Sequence, residues 1–166
     1  MIVMDRHRRV ASSPARALPV RLVDYSRERK TGTDWGAMKK YRIDGAEVQG
    51  IADLYEQFNR ELMADEDWRL GASLDGLNDI LYRVDGEIRE GEPATFVWND
   101  HAHSREMLGF EETQRWLQNK LSQPNSFNQQ RIQSDLDDLR NGHGKTYFEL
   151  ILEVFADHPL IKLQLR

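Results

Sequence analysis

Apolar side chains recur every three or four residues along several stretches of the chain, a pattern that predicts amphipathic helices. The first predicted helix has one apolar face, formed by Ile51, Leu54, Tyr55, Phe58 and Leu62. The second follows the loop at Leu70-Gly71, and its apolar face consists of Leu74, Leu77, Ile80, Leu81 and Val84. We expect this helix to end between Asp85-Gly86 and Glu92-Pro93, because glycine and proline disfavour a continuing helix.

β-Branched and aromatic residues dominate Ala94–Trp98, which predicts a buried strand. Two shorter strands are predicted at Lys40–Ile43, before the turn signal Asp44-Gly45, and at Leu160–Leu165. Strands that alternate with helices along a chain form parallel sheets connected by crossovers. The sequence therefore predicts an α/β fold in which a small three-stranded parallel sheet packs with about four helices.

Residues 110–144 contain two further helical patterns, and we interpret them as a helical pair inserted into this fold. The predicted apolar positions of the pair are Phe110, Leu117, Leu121, Ile132, Leu136 and Leu139. Pro124-Asn125 separates the two helices, and Gly142 and Gly144 end the second. A short helix is predicted before the pair, over Asn99–Leu108.

The last predicted helix begins at Thr146, which forms a capping-box pattern with Glu149. In a capping box the side chain of each residue accepts a hydrogen bond from the backbone N–H of the other. The core face of this helix is predicted to comprise Phe148, Ile151, Leu152 and Phe155.

The charges divide the chain into a basic N-terminal segment and an acidic remainder. Residues 1–37 carry a net charge of +4, and the rest of the chain carries −9. The segment shows no sustained periodicity, so we expect a flexible extension with one short strand candidate at Val20–Val23. Residues 38–166 form the predicted folded domain, and Met38 is a second candidate for the start of translation.

An acidic folded body argues against nucleic acid as a direct ligand, because phosphate contacts require lysine and arginine. It suits a basic protein partner, whose capture a negative field accelerates. The chain has no cysteine, which excludes disulfides, thiolate nucleophiles and thiolate metal sites. Its longest apolar runs, such as Leu150–Leu152, are too short to span a bilayer, and its N-terminus lacks the apolar segment of a signal peptide. We therefore expect a cytoplasmic protein without membrane contacts.

The polar side of the second predicted helix carries two carboxylates four residues apart. Asp75, Asn78, Asp79 and Tyr82 lie at i, i+3, i+4 and i+7 and share this side. Asp75 and Asp79 repel each other by roughly 0.2–0.5 kcal/mol in an isolated helix, and no basic residue lies between them. A cationic partner explains this arrangement. Alternatively, the helix dipole stabilises Asp75 in the first turn, Arg83 pairs with Asp79, and the face is merely solvated.

Asp100, His101 and His103 form the one cluster that suggests a metal, since a His-x-His pair in a loop can ligate zinc. Entry into the following helix explains the same residues without a metal, and we predict no metal site and no cofactor. Asp75 and Asp79 also raise the hypothesis of a hydrolase that uses them as acid and base. Such a pair needs a cleft and separated pKa values, for which an exposed helix face is a poor location. We therefore predict no catalytic residues.

The order of these elements resembles the barstar family, the intracellular inhibitors of secreted bacterial ribonucleases. The family's Gly-x-x-Leu-Asp-x-Leu-x-Asp motif is matched at every named position by Gly71, Leu74, Asp75, Leu77 and Asp79. The segments on either side of the motif are also similar to those of the family, and they come in the same order. They are Lys39–Gly45, Ile51–Tyr55 with Phe58 and Glu61-Leu62, Trp98 with His101–Arg105, and Glu153–Asp157 with Leu160–Leu165. The resemblance covers residues 38–109 and 145–166 and leaves the N-terminal segment and the insertion outside.

The resemblance implies a barstar-like fold and a stoichiometric inhibitor, in which an acidic helix and its preceding loop block the phosphate-binding cleft of a basic ribonuclease. Carried over by position, Asp79 is the central carboxylate that faces catalytic Arg, Lys or His of the enzyme, and Asp75 flanks it. Asp157, on the last helix, adds a second acidic contact. The expected partner-binding residues are Arg69, Gly71, Ser73, Asp75, Asn78, Asp79, Tyr82, Glu153 and Asp157. The free inhibitor is expected to be a monomer.

Three positions depart from the family pattern. Arg69 and Leu70 stand where the family commonly places aromatic residues before the motif glycine, and Asn78 occupies a position that is often aromatic. Arg69 repels a basic cleft unless it reaches a carboxylate of the partner. These differences indicate a target other than the family's best-known one. They also leave open a barstar-fold module that binds a basic protein other than a nuclease.

Overall fold

Three parallel strands form the sheet, with the second strand in its centre. They are β1 (Lys39–Asp44), β2 (Ala94–Asn99) and β3 (Lys162–Leu165), in the spatial order β1-β2-β3. The computed structural model describes residues 39–91, 94–123 and 126–166. Strand β2 is buried along its length, as its composition predicts. The expected α/β fold with a small three-stranded parallel sheet is confirmed.

Six α-helices accompany the sheet in the described residues. They are α1 (Ile51–Leu62), α2 (Leu74–Arg89), α3 (His101–Met107), α4 (Phe110–Leu121), α5 (Gln129–Arg140) and α6 (Tyr147–Ala156). A 3₁₀ turn at Gly45–Glu47 follows β1, where the turn signal lies. Strand β3 is shorter than predicted, because the Ile161 N–H donates to the His158 carbonyl (3.0 Å) and closes a turn before it.

The main hydrophobic core lies on the face of the sheet that carries Phe96 and Trp98. All the predicted core positions of α1 are buried in it. Helices α2 and α6 contribute Leu77, Ile80, Leu81, Val84, Phe148, Ile151 and Phe155. Leu74 and Leu152, also predicted for the core, are half-buried at its edge. Burial of one large apolar side chain contributes about 1.5–3 kcal/mol, so this core fixes the three helices on the sheet.

The inserted helices α4 and α5 form a small core of their own. It consists of Leu117, Ile132, Leu136 and Leu139, with Leu121 at its edge. The prediction for Phe110 is wrong, since its side chain is 45% exposed. Phe110 shares the side of α4 that carries buried Thr113 and Leu117, but it is the first residue of the helix, so its side chain lies at the exposed end of this side.

Trp116 joins the insertion to the main core. Its ring packs edge-to-face on Tyr147 with the centroids 5.0 Å apart, and it lies against both hydrophobic clusters. The predicted apolar face of α4 does not include Trp116, because Trp116 is next to Leu117 in the chain and not three or four residues away from it. The inserted pair therefore packs on the body of the protein through a residue that its own periodicity does not mark.

Several predictions concern residues outside the described ranges. They are the extension 1–37 with its strand candidate Val20–Val23, the alternative start Met38, and the dipeptides Glu92-Pro93 and Pro124-Asn125. All the described residues belong to one compact unit. None of the helices within these residues combines the length and the apolar character needed to cross a membrane.

Side chains cap the first turns of α6 and α2. The capping box of α6 is confirmed: the Glu149 N–H donates to the Thr146 hydroxyl (3.4 Å), and the Thr146 N–H donates to the Glu149 carboxylate (2.8 Å). At α2 the Gly76 N–H donates to the Ser73 hydroxyl (3.3 Å). Such caps satisfy amides that have no partner within the helix, so both helices begin at defined residues.

Gly45 lies where β1 leaves the sheet, against the end of β2. Its carbonyl accepts a hydrogen bond from the buried Ser104 hydroxyl (3.3 Å), whose oxygen accepts one from the Trp98 indole N–H (2.9 Å). A Cβ atom at Gly45 would overlap the backbone oxygen of Asn99 and lie 2.5 Å from that of Asp100. This junction therefore has no space for a side chain.

We expect Gly45→Ala to lower the free energy of unfolding by about 1–3 kcal/mol, the usual cost of overpacking. Gly86→Ala is the matched control, because a Cβ at this position of α2 meets no atom within 4 Å. Alanine stabilises a helix interior by about 1 kcal/mol relative to glycine. Urea unfolding should show opposite signs for the two variants, and an unchanged stability of Gly45→Ala would contradict the tight junction.

Candidate partner-binding face of helix α2

Helix α2 presents the polar residues predicted from its spacing on its accessible side. We call Asp75, Asn78, Asp79 and Tyr82 the acidic face. Asp75 and Asp79 are exposed, Tyr82 is 59% exposed, and Asn78 is half-buried. Asp75 lies in the first turn of the helix, where the dipole favours a carboxylate.

Arg83 does not pair with Asp79, contrary to the i,i+4 expectation. Its guanidinium forms an ion pair with Glu66 and donates to the carbonyl of Leu62 (2.9 Å). Leu62 is the last residue of α1, where unpaired carbonyls and the negative end of the helix dipole attract a cation. Among the described residues, the Asp79 side chain consequently has neither a hydrogen bond nor an ion pair.

Lys120 of α4 is a basic neighbour of Asp75 that the sequence of α2 does not predict. Burial lowers the pKa of Lys120, and the negative charges of Asp75 and Asp135 oppose this lowering. The Lys120 ammonium lies 3.9 Å from the centroid of the Trp116 ring, a cation–π distance. The two carboxylates of the acidic face therefore differ, because among the described residues a cation lies near Asp75 and none pairs with Asp79.

The charge of Asp75 also affects the pKa of Tyr55. Tyr55 forms a buried pair with Tyr147, and their hydroxyl oxygens are 3.1 Å apart. Burial raises the pKa of Tyr147 to about 12. Burial, and then the charges of Tyr147 and Asp75, raise the pKa of Tyr55 as well. Both phenols stay protonated at neutral pH, so neither can act there as a general base beside the carboxylates.

A cavity of about 770 Å³ opens beside Asp75, between the start of α2, the inserted helices and α6. Its lining includes Ser73, Asp75 and Glu153, three of the predicted binding residues. Lys120 and Asp135 line it from the insertion. The insertion is therefore one wall of a space that adjoins the acidic face.

The loop before α2 is held by Asn59 of α1. The Asn59 side chain accepts a hydrogen bond from the Leu70 N–H (2.7 Å) and donates one to the Leu70 carbonyl (2.9 Å). Leu70 is buried, and a Cβ atom at Gly76 would lie 2.9 Å from its side chain, so the loop packs tightly on the first turn of α2. Gly71, the next residue of the loop, is exposed, and a Cβ atom there would meet nothing within 4 Å.

Arg69 is exposed and forms an ion pair with Glu56 of α1. The neighbouring carboxylate offsets the positive charge of Arg69 locally. Arg69 thus has a carboxylate partner within the chain, and its charge repels a cation at this surface less than that of an unpaired arginine does.

The two acids predicted on the last helix occupy different positions. Glu153 is exposed on α6, forms an ion pair with Lys145 and lines the cavity beside Asp75. Asp157 is the C-cap rather than part of the helix, because α6 ends at Ala156. Asp157 is exposed, and the next residue, His158, contacts α2. The fold thus brings the end of α6 to the side of α2.

His101 and His103 do not converge on a metal position. His101 Nδ1 lies 2.8 Å from the carbonyl oxygen of Arg166, and His103 Nε2 lies 3.1 Å from Gln49 Nε2. Asp100 has a left-handed backbone (φ 47°) and precedes α3. Residues 39–91, 94–123 and 126–166 contain no group of three His, Cys, Asp or Glu side chains that could hold a metal ion.

The sequence pattern does not predict the roles of three polar residues that support the acidic face. They are Asn59, Asp85 and His158. Asn59 and Asp85 are almost completely buried among the apolar positions of α1 and α2. Asn78, Tyr82 and Asp85 follow one another at i, i+4 and i+7, so they share one side of α2. This pattern does not predict the contact with His158, which lies 73 residues beyond Asp85 in the chain.

The chain matches no protein-family model, and no curated protein matches it. The resemblance to the barstar family therefore stays a prediction, based on the Gly71–Asp79 motif and on the order of the elements around it.

Asn59→Ala is expected to lower the free energy of unfolding by about 2–4 kcal/mol, because it leaves both the N–H and the carbonyl of buried Leu70 without partners. Asn119→Ala is the control, since Asn119 is exposed on α4 and alanine suits a helix. Urea unfolding and hydrogen exchange measure the effect, and the Leu70 amide should lose its protection in Asn59→Ala only. Equal stability of the two variants would contradict the role given to Asn59.

Proposed function

We propose that the protein is a stoichiometric inhibitor of a basic ribonuclease, that it acts in the cytoplasm, and that its acidic face and preceding loop block the phosphate-binding cleft of the enzyme. The observation that carries this proposal is Asp79, an exposed carboxylate without a side-chain partner among the described residues. The Gly71–Asp79 motif and the order of the elements, both similar to the barstar family, agree with it.

A carboxylate can take the place of a phosphate group in a basic cleft. Arginine donates two parallel hydrogen bonds to either group, and these bonds are stronger than those between neutral groups. Binding through Asp79 breaks no ion pair within the described residues. Asp75 adds a second negative charge one turn away, and exposed Asp157 adds a third from the end of α6.

The free protein already holds α2 in a fixed position. Ser73 caps the helix, Asn59 holds the preceding loop, and Arg83 ties α2 to the end of α1. A surface that is ordered before binding loses less conformational entropy on association. These contacts support docking of a preformed face.

Asp79→Ala tests the proposal in an RNA-cleavage assay, in which small, basic, secreted bacterial ribonucleases are titrated with the full chain. We expect the wild-type protein to suppress at least one of them at a 1:1 ratio. Truncating one partner of a buried, hydrogen-bonded charge pair costs about 2–5 kcal/mol. The inhibition constant of Asp79→Ala should therefore rise by about 30-fold or more.

Glu106→Ala is the matched control, because it removes an exposed carboxylate from α3, outside the acidic face. It should change the inhibition constant by no more than about twofold, as expected for an exposed charge at a distance. Equal inhibition by wild type and Asp79→Ala would contradict this placement of the interface. If no ribonuclease is inhibited but a basic non-nuclease protein binds with the same dependence on Asp79, the chain is a binding module instead.

The association rate should fall with ionic strength, because the acidic face attracts a basic partner over several ångströms. Raising the salt concentration from about 0.01 M to about 0.15 M shortens the screening length from about 30 Å to about 8 Å. Stopped-flow measurements should show kon falling by about tenfold or more, with a much smaller change in koff. A kon that does not respond to salt would contradict electrostatic capture.

A further inference from the structure

His158 is a fully buried residue that links the end of α6 to the acidic face. Both nitrogens of its ring have a partner on α2. Nδ1 lies 2.9 Å from Asp85 Oδ2, and Nε2 lies 3.0 Å from Asn78 Oδ1. The Tyr82 ring meets the imidazole edge-on, with the centroids 4.6 Å apart. His158 therefore contacts, from inside the protein, two residues of the face that a partner contacts from outside.

Asp85 determines where the first proton of the imidazole lies. With the buried Asp85 carboxylate as the hydrogen-bond acceptor in this contact, Nδ1 of His158 carries the N–H. The other carboxylate oxygen, Oδ1, is buried and has no hydrogen-bond partner among the described residues. Within the described part of the chain, the imidazole is thus the donor on which Asp85 depends.

The second nitrogen determines the orientation of Asn78. In a neutral His158, Nε2 has a lone pair and accepts a hydrogen bond from the amide NH₂ of Asn78, which turns the amide oxygen outward. In an imidazolium, Nε2 donates to the Asn78 oxygen, and the NH₂ group turns outward. Asn78 Oδ1 lies 3.0 Å from Nε2, and a half-turn of the amide brings its NH₂ group to the same place.

We propose that His158 is a positioning residue that sets which end of the Asn78 amide the acidic face presents to its partner. The inference rests on the proposed function, because it takes this face as the surface that binds a basic protein. An outward oxygen on the acidic face adds an acceptor for Arg or Lys, whereas an outward NH₂ group adds donors that oppose them. A basic partner consequently binds the neutral form of His158 more tightly, and acidification weakens binding through Asn78.

Among the described residues, the titratable side chains in contact with the imidazole are Asp85 and Tyr82, both of helix α2. Asp157 precedes His158 in the chain and is exposed. In the part of the chain that the structure describes, Asp85 is the only ion-pair partner of His158. The two forms of the site therefore differ by the proton on Nε2 and the rotation of one amide.

NMR of the full chain, labelled with ¹⁵N, tests the link between His158 and Asn78 without any partner. Across a pH series, we expect the His158 Nε2 signal and the Asn78 side-chain amide signals to change together, with one shared midpoint. The exposed side-chain amide of Asn119 serves as the control and should not follow this midpoint. Separate midpoints, or an Asn78 amide that does not respond when the ring signal changes, would each overturn the proposal.

Binding of an inhibited basic ribonuclease provides the second measurement. The ratio of the Kd values measured below and above the midpoint found by NMR should be about tenfold larger for wild type than for Asn78→Ala, the effect of one hydrogen bond to a charged group. Asn119→Ala should behave as wild type, and His158→Gln, which cannot titrate, should behave as Asn78→Ala. Equal ratios for wild type and Asn78→Ala would overturn the proposal. A shared NMR midpoint without binding of any ribonuclease would reject the proposed function and still support the coupling of His158 to Asn78.

Discussion

The placement of helix α2 is the constraint on which the rest of the structure depends. Its apolar side is buried in the core, so the helix cannot turn about its axis without exposing Leu77 or burying Asp79. Polar contacts hold it at two places, through Asn59 at the preceding loop and through Asp85 and His158 further along. A buried hydrogen bond adds about 1 kcal/mol, whereas a buried group without its partner costs about 1–3 kcal/mol. These contacts therefore define the position of the helix more than they add to its stability.

The distribution of ion pairs explains why the acidic face keeps its negative charge. Three basic residues near it form ion pairs with other acids, in the pairs Arg69–Glu56, Arg83–Glu66 and Lys145–Glu153. Lys120 lies near Asp75, and among the described residues no cation pairs with Asp79. Because Asp79 is exposed, its carboxylate stays hydrated in the free protein. In the proposed complex, this carboxylate is desolvated only when the partner supplies a cation with matching hydrogen bonds. Under this condition a buried ion pair offsets its own desolvation cost.

The inserted helices depend on the body of the protein for their position. A core of four buried side chains is too small to fold alone. The contact between Trp116 and Tyr147 connects this core to the main one. Because the insertion also lines the cavity beside Asp75, its packing and the surroundings of the acidic face are physically coupled. A partner that reaches Asp75 from this side meets the insertion as well.

The sequence by itself determined the α/β class, the helices and strands, the capping box at Thr146 and the side of α2 that faces solvent, because helical periodicity and caps are local properties. Only the tertiary structure decided which charges are paired. Arg83 pairs with Glu66 instead of Asp79, and buried Asp85 contacts His158. Lys120 of the insertion lies close enough to Asp75 for its pKa to respond to the charge of that carboxylate. Periodicity shows which side of an element is buried, but it does not show which residue, distant in the chain, lies opposite.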